Sequence, residues 1–204
     1  MGINERKVRE RNEMRQRIIQ GAIHMFMTEG YEKTSIRNIA EKIEYSPATI
    51  YLYYKDKDEL LYDVQKEAFQ GLLVEFQARA TATDPFERLT QICQTYVRFG
   101  LTNQEMYNLM FILKAPMNVI EEQEYWKNGD DCFAFLTTCI HECIQLKQIR
   151  YDNVMIAALS VWSMAHGLVS LDICCRMKVM EMEEEGVVHA ITASVNEYLK
   201  LIKN

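Results

Sequence analysis

The stretch Ser46 to Lys57, S-P-A-T-I-Y-L-Y-Y-K-D-K, constrains this chain more than any other. Ser46 suits a helix N-cap, and Pro47 suits the first helical position, where its missing N–H costs nothing. A short helix from Pro47 to about Tyr54 is expected. Ile50 and Tyr54, four residues apart, share one face and form a narrow anchoring stripe. Ala48 and Leu52 lie on the far side, flanked by Thr49 and Tyr51. This outer face carries small, hydroxylic and aromatic side chains and no acid. Such a face can enter a major groove and touch bases and phosphates.

The flanking segments sharpen this reading. Upstream, Thr34 or Ser35 can cap a helix over Ser35 to Lys42, whose apolar positions are Ile36, Ile39, Ala40 and Ile43. A tight turn at Glu44-Tyr45 then leads to Ser46. Two short helices joined this way make a helix-turn-helix. Downstream, Asp56 and Glu59 have the spacing of a capping box and start a longer helix. Lys57 falls in its first turn, where the helix dipole disfavours a cation. A phosphate docked there would use the free N–H groups and Lys57 together. The plainer alternative is a solvated Lys57 offset by Asp58 and Glu59.

The residues resemble a known family. R-x-x-I-I-x-x-A-x-x-x-F-x-x-x-G-Y from Arg15 to Tyr31, then T-S-I-R-x-I-A, then S-P-A-T-I-Y-x-Y-Y-K-x-K-x-E-L-L, look like the DNA-binding domain of the TetR family of bacterial repressors. Several fixed spacings agree at once over roughly residues 15–61. The resemblance implies that Arg37, Pro47, Ala48, Thr49, Tyr51, Leu52, Tyr53 and Lys57 face DNA, with the cap Ser46 among them. One position departs from the pattern: the family's turn has Gly followed by an aliphatic residue, and here stands Glu44-Tyr45.

A net charge of −6 sits oddly with DNA binding until it is divided along the chain. Residues 1–57 hold 11 basic and 8 acidic side chains, and residues 58–204 hold 12 and 21. The positive potential is local, and the acidic remainder favours solubility. Arg6, Lys7, Arg9, Arg11, Arg15 and Arg17 read as a basic arm leading into a first helix, or equally as a solvated extension of it.

Three prolines and eight glycines in 204 residues leave long periodic stretches, so an all-α chain is expected. Helices are expected over 4–29, 57–81, 85–100, 103–113, 130–147, 154–171 and after the acidic turn Glu181 to Glu185, with a further segment over 117–128 that ends at Gly129. We divide the chain into a helix-turn-helix domain with a basic arm, 1–60, and a helical effector-binding and dimerisation domain, 61–204. Val154 to Leu171 carries no full charge and has the length of a membrane span. His166, three serines and the lack of a basic flank argue instead for a helix buried on both sides, by its own domain and by a second copy. Ala157, Ala158, Ser160, Ala165, Gly167 and Ser170 allow close approach, and the last helix supplies the other half of a four-helix dimer bundle. W-S-M-A-H-G, Trp162 to Gly167, also resembles the W-x3-H-G signature of one C-terminal subclass of the family.

No hydrolytic, nucleotide-binding or zinc motif appears, so no catalytic residue, metal or cofactor is expected. No apolar leader is visible, and the six cysteines read as reduced cytoplasmic thiols. The middle helices are rich in Met and aromatics, which by themselves are core residues; flexible Met beside aromatics also makes an adaptable pocket. The family resemblance implies an effector pocket, which we assign to Met106, Met110, Phe111, Trp126, Phe133, Trp162 and His166. The expected function is a ligand-responsive repressor, a homodimer released from a palindromic operator by a small molecule. The alternative is a helix-turn-helix regulator that senses thiol oxidation through Cys132, Cys139 and Cys143, with no small-molecule effector.

Overall fold

The computed structural model describes residues 2–114, 116, 117, 119 and 129–204. Among these the structure is helical without a strand, as the breaker-poor sequence requires; one isolated antiparallel bridge joins Ile149 to Lys203. The chain divides into two compact units: Met1–Ala68 with Leu109–Asn128, and Phe69–Asn108 with Gly129–Asn204.

The first unit contains α1 (Ile3–Glu29), α2 (Ile36–Lys42), α3 (Pro47–Tyr51) and the first part of α4 (Lys57–Arg79). Helix α1 buries Ile18, Ile19, Ala22 and Phe26, and stops at Gly30, whose φ of 84° suits a residue without a Cβ. The basic N-terminal segment is part of α1, not a separate arm, and pairs Arg6 with Glu10 at 2.7 Å one turn on. Ser35 caps α2 reciprocally with Asn38: Ser35 Oγ accepts from the Asn38 amide at 3.2 Å, and Asn38 Oδ1 accepts from the Ser35 amide at 3.0 Å. Glu44 adopts a φ of 61°, the left-handed conformation that Gly ordinarily supplies in this turn, and Tyr45 N–H closes back on Ala40 O at 2.9 Å.

Helix α3 ends at Tyr51, short of the expected Tyr54. Its last turn tightens: Tyr53 and Tyr54 N–H both donate to Ile50 O, at 2.8 and 3.0 Å. The anchoring stripe survives this, since Ile50 and Tyr54 are both buried. Asp56 Oδ1 then caps the Glu59 amide at 2.8 Å and α4 begins.

The second unit contains the rest of α4 with α5 (Pro85–Thr102), α6 (Gln104–Tyr107), α7 (Asp130–Gln145), α8 (Val154–Ile173), α9 (Arg176–Val179) and α10 (Glu184–Ile202). Leu89, Ile92, Leu136, Ile140, Val161, Val169, Ile191 and Val195 fill its core. Asp84 caps α5 through the Glu87 amide at 2.9 Å, and Asn153 caps α8 through the Ile156 amide at 3.0 Å. Gly100 does not stop α5, which continues to Thr102. It is a point of close approach: a Cβ there would lie 2.5 Å from Val169 Cγ1. The expected helix over 103–113 is split into α6 and a π-helical turn, Asn108–Ile112. The segment over 117–128 lies almost wholly outside the described residues. The four-residue α9 was not expected; left-handed Cys175 and Glu181 bracket it.

Helix α8 is long and apolar enough to cross a membrane. Ala157, Ala158, Val161, Ala165 and Val169 bury one face of it within the unit, while Met155, Ile156, Leu159 and Leu171 are exposed, so within this chain the helix is not buried on both sides.

Candidate functional site

The outer face of α3 is presented as the wheel requires. Tyr51 is 56% exposed and Leu52 75%, and Ser46 and Ala48 are exposed beside them. Thr49 is half-buried; its amide donates to Ser46 Oγ at 3.3 Å, and the two hydroxyls lie 3.0 Å apart. The hydroxyl that could read a base is thus held by the cap, and the same contact orients it. Pro47 and Tyr53 are half-buried, and Arg37 is exposed on α2.

Lys57 has partners within the unit, an arrangement neither sequence-level alternative included. Its Nζ donates to Tyr31 O at 2.8 Å and Thr34 O at 3.1 Å, and lies 4.0 Å from the centroid of the Tyr31 ring. An ammonium has three donors, so one remains for a phosphate. Tyr31 in turn donates its hydroxyl to Asp58; burial, then this hydrogen bond, raises the phenol pKa.

A second group of contacts went unread in the sequence. Arg11 lies over the Tyr53 ring at 5.8 Å, Arg15 over Tyr54 at 5.5 Å and Arg17 over Tyr45 at 5.7 Å. Arg17 also donates to Tyr45 Oη at 2.9 Å. Buried Asp63 on α4 accepts from Tyr54 Oη at 2.7 Å and from Arg15 Nη2 at 2.6 Å. Burial opposes the Arg15 charge, but the hydrogen bond to Asp63 and its negative charge outweigh that and raise the pKa. Three arginines of the basic segment therefore hold the recognition region to α1. The legible signal was their recurrence on a helix that faces a Tyr-rich segment.

In the second unit, Phe133, Trp162 and His166 converge, with ring centroids 6.1 and 6.0 Å apart along the series. Met106 is half-buried in the same unit. Met110 is buried and Phe111 half-buried in the first unit, and Trp126 lies outside the described residues. Tyr96, Tyr107 and Ser170, none of them assigned to the pocket from sequence, complete a hydrogen-bonded series. Trp162 Nε1–H donates to Tyr96 Oη at 3.1 Å, and Tyr96 Oη lies 2.8 Å from Tyr107 Oη. Tyr107 Oη lies 2.6 Å from His166 Nδ1, and His166 Nε2 lies 3.2 Å from Ser170 Oγ. The indole can only donate, so Tyr96 Oη accepts from Trp162; Tyr96 Oη also lies 3.1 Å from His166 Nδ1, so either tyrosine hydroxyl can donate to Nδ1 while Nε2–H of neutral His166 donates to Ser170. Burial lowers the His166 pKa and raises that of Tyr107 to about 12. His166 is a packed, hydrogen-bonded residue.

Cys132, Cys139 and Cys143 are buried on α7. Burial pushes the Cys132 thiol up to about 12, which disfavours its thiolate. Hydrogen bonding from Cys143, with Arg88 nearby, lowers Cys139. Cys139, Arg88, Glu142, Gln77 and Phe135 border a cleft of about 840 Å³ that none of the expected pocket residues line.

Two family models match the chain: "Bacterial regulatory proteins, tetR family" over residues 18–64, and "Tetracyclin repressor-like, C-terminal domain" over residues 89–194. The transcriptional regulator TcmR of Streptomyces glaucescens is 26% identical over 89 residues, 44% of this chain and 38% of TcmR. AcrR of Shigella flexneri is 28% identical over 151 residues, 70% of each protein. The match thus spans well under half the length of TcmR and about two thirds of AcrR. The crystal structure of the TetR-family regulator PfmR from Thermus thermophilus shares the fold, with a TM-score of 0.62 and 21% identity over 90% of this chain and 97% of that one. With matched models at both ends, a helix-turn-helix capped at Ser46 and an all-helical second unit, the chain belongs to the TetR family of bacterial transcriptional regulators.

Proposed function

We propose that this protein is a cytoplasmic repressor that binds a palindromic operator as a homodimer and is released by a small-molecule effector. The observation that carries the reading is the outward face of α3. A helix of five residues buries Ile50 and leaves Tyr51 and Leu52 exposed beside a basic α1. Exposed apolar side chains at adjoining positions mark a contact surface. Arg37, Ser46, Pro47, Ala48, Thr49, Tyr51, Leu52, Tyr53 and Lys57 are the residues we assign to it, within a DNA-binding part that we take as residues 1–60. Thr49 offers a methyl and an oriented hydroxyl to base edges, Tyr51 reaches phosphate or base, and Arg37 contacts the backbone that α2 crosses.

The dimer reading draws on α8 and α10. Met155, Ile156, Leu159 and Leu171 of α8, and Val188 and Leu201 of α10, are exposed large apolar residues. A Cβ at Gly167 would meet nothing within 4 Å, so the outer side of α8 is open at that point. A second copy on this face would bury both helices in a four-helix bundle. Two recognition helices would then sit roughly 34–36 Å apart, in successive major grooves. The effector can release the operator only by binding the other conformation more tightly. Selection of DNA fragments by the purified protein tests this reading; failure to enrich any sequence would refute it.

A further inference from the structure

We propose that Gln65 is the polar anchor of the effector: its Oε1 accepts a hydrogen bond from an O–H or N–H group of an otherwise apolar small molecule. The inference rests on the effector reading above and adds a ligand class to it.

Gln65 lies on α4 within the first unit and is 1% exposed. Its Nε2 donates to Leu109 O at 2.8 Å. Its Oε1 is buried and has no hydrogen-bond partner. The amide cannot be turned over to cure this, because the carbonyl oxygens of Gln65 and Leu109 would then face each other. Among the described residues only one other buried side-chain atom is in this state, Oε1 of Gln148. Gln148 is merely half-buried, and its amide is already engaged by charged Asp84.

An unpaired buried acceptor costs roughly 1–3 kcal/mol, and a hydrocarbon side chain at this position would avoid that cost. The Oε1 acceptor is therefore placed to receive a donor from outside the chain. The surroundings indicate its chemistry. Along α4, Leu61, Tyr62 and Ala68 share the face of Gln65 and are buried. Across from it, Leu109 is followed by buried Met110, one of the assigned pocket residues. Leu109 and Met110 stand in the π-helical turn, a form that is rare and frequent at functional sites. Apart from the Tyr62 hydroxyl these neighbours are apolar, and a carbonyl oxygen can only accept, so the proposed ligand offers one donor on a largely apolar body. A site built to accept that hydrogen bond discriminates strongly against an analogue lacking the donor. Because α4 also begins the segment that follows the recognition helix, a ligand bonded to Gln65 acts directly on the helix that carries α3.

Matched probes that differ only in the donor test this: phenol with anisole, indole with 1-methylindole, and 1-octanol with heptyl methyl ether. Binding to the full-length protein is measured by calorimetry. The donor of at least one pair binds about fivefold tighter than its methylated partner, the worth of one hydrogen bond, and Gln65→Met reduces the ratio to about one. Gln65→Leu replaces that variant if circular dichroism shows it unfolded. The proposal is overturned if no pair discriminates in the parent, or if the preference survives in the variant. Operator binding by the ligand-free parent is measured separately. Its absence would refute the repressor reading without touching the comparison of probes.

Discussion

Tyr54 donates its phenol to Asp63 at 2.7 Å, and this bond joins the end of the recognition segment to α4. Asp63 is buried, and the same oxygen receives Arg15 from α1 at 2.6 Å. One carboxylate therefore ties three helical segments of the DNA-binding unit together. Tyr54→Phe keeps the ring and removes the donor. It is expected to lower stability by about 1 kcal/mol, seen as a lower urea midpoint with unchanged slope. Operator affinity falls more than stability alone explains, because α3 is no longer oriented on α4.

Lys57→Ala has two expected effects. The variant loses the amine that satisfies Tyr31 O and Thr34 O, so its urea midpoint falls. It also loses a phosphate contact, so affinity drops evenly across sequences and the salt slope decreases by about one. A salt titration showing the parental slope would leave Lys57 a purely structural residue.

Two glycines are expected to behave oppositely. Gly100→Ala places a Cβ 2.5 Å from Val169 Cγ1 in a packed core, costing about 1–3 kcal/mol by thermal or urea unfolding. A Cβ at Gly167 meets nothing within 4 Å in its own chain, so the fold is expected to tolerate Gly167→Leu, checked by circular dichroism. Sedimentation is expected to show the dimer split. An intact dimer of Gly167→Leu would move the interface elsewhere.

His166 supplies a pH dependence. Burial holds its pKa below the ordinary value, so the unfolded chain takes up the proton first as pH falls. The neutral-His contribution is therefore complete above about pH 6.5 and declines below it. Protonation would also end the role of Nδ1 as acceptor from a tyrosine hydroxyl, Tyr107 or Tyr96. His166→Gln is expected to flatten the stability profile below about pH 6.5, measured as urea midpoints at falling pH.

Much of the first unit was legible because its signals are local. Ser46, Pro47 and Asp56 set helix starts through caps that need no tertiary partner. The apolar spacing of Ile18, Ile19, Ala22 and Phe26 fixed the buried face of α1. What escaped depends on groups far apart in sequence. Asp63 was not singled out, because nothing local pairs it with Arg15, 48 residues away. Tyr96 and Tyr107 were not assigned to the site, because a hydroxyl's partner on α8 leaves no periodic trace. Gly100 resembled a helix stop because close approach and termination both favour a missing side chain. Glu44 was the informative departure: the backbone takes the left-handed turn without Gly, with Arg17 and Tyr45 bonded alongside.

The most direct test of the account is selection of random DNA by the purified protein, followed by affinity measurements on the selected site with Thr49→Ala and Tyr51→Phe. The account predicts an inverted repeat whose half-sites are centred about one helical turn apart. It further predicts that Thr49→Ala shifts the preference at one base pair per half-site by about 1–3 kcal/mol, and that Tyr51→Phe weakens binding with its circular dichroism unchanged. No enrichment of any sequence, or both variants binding every site as the parent does, would contradict it.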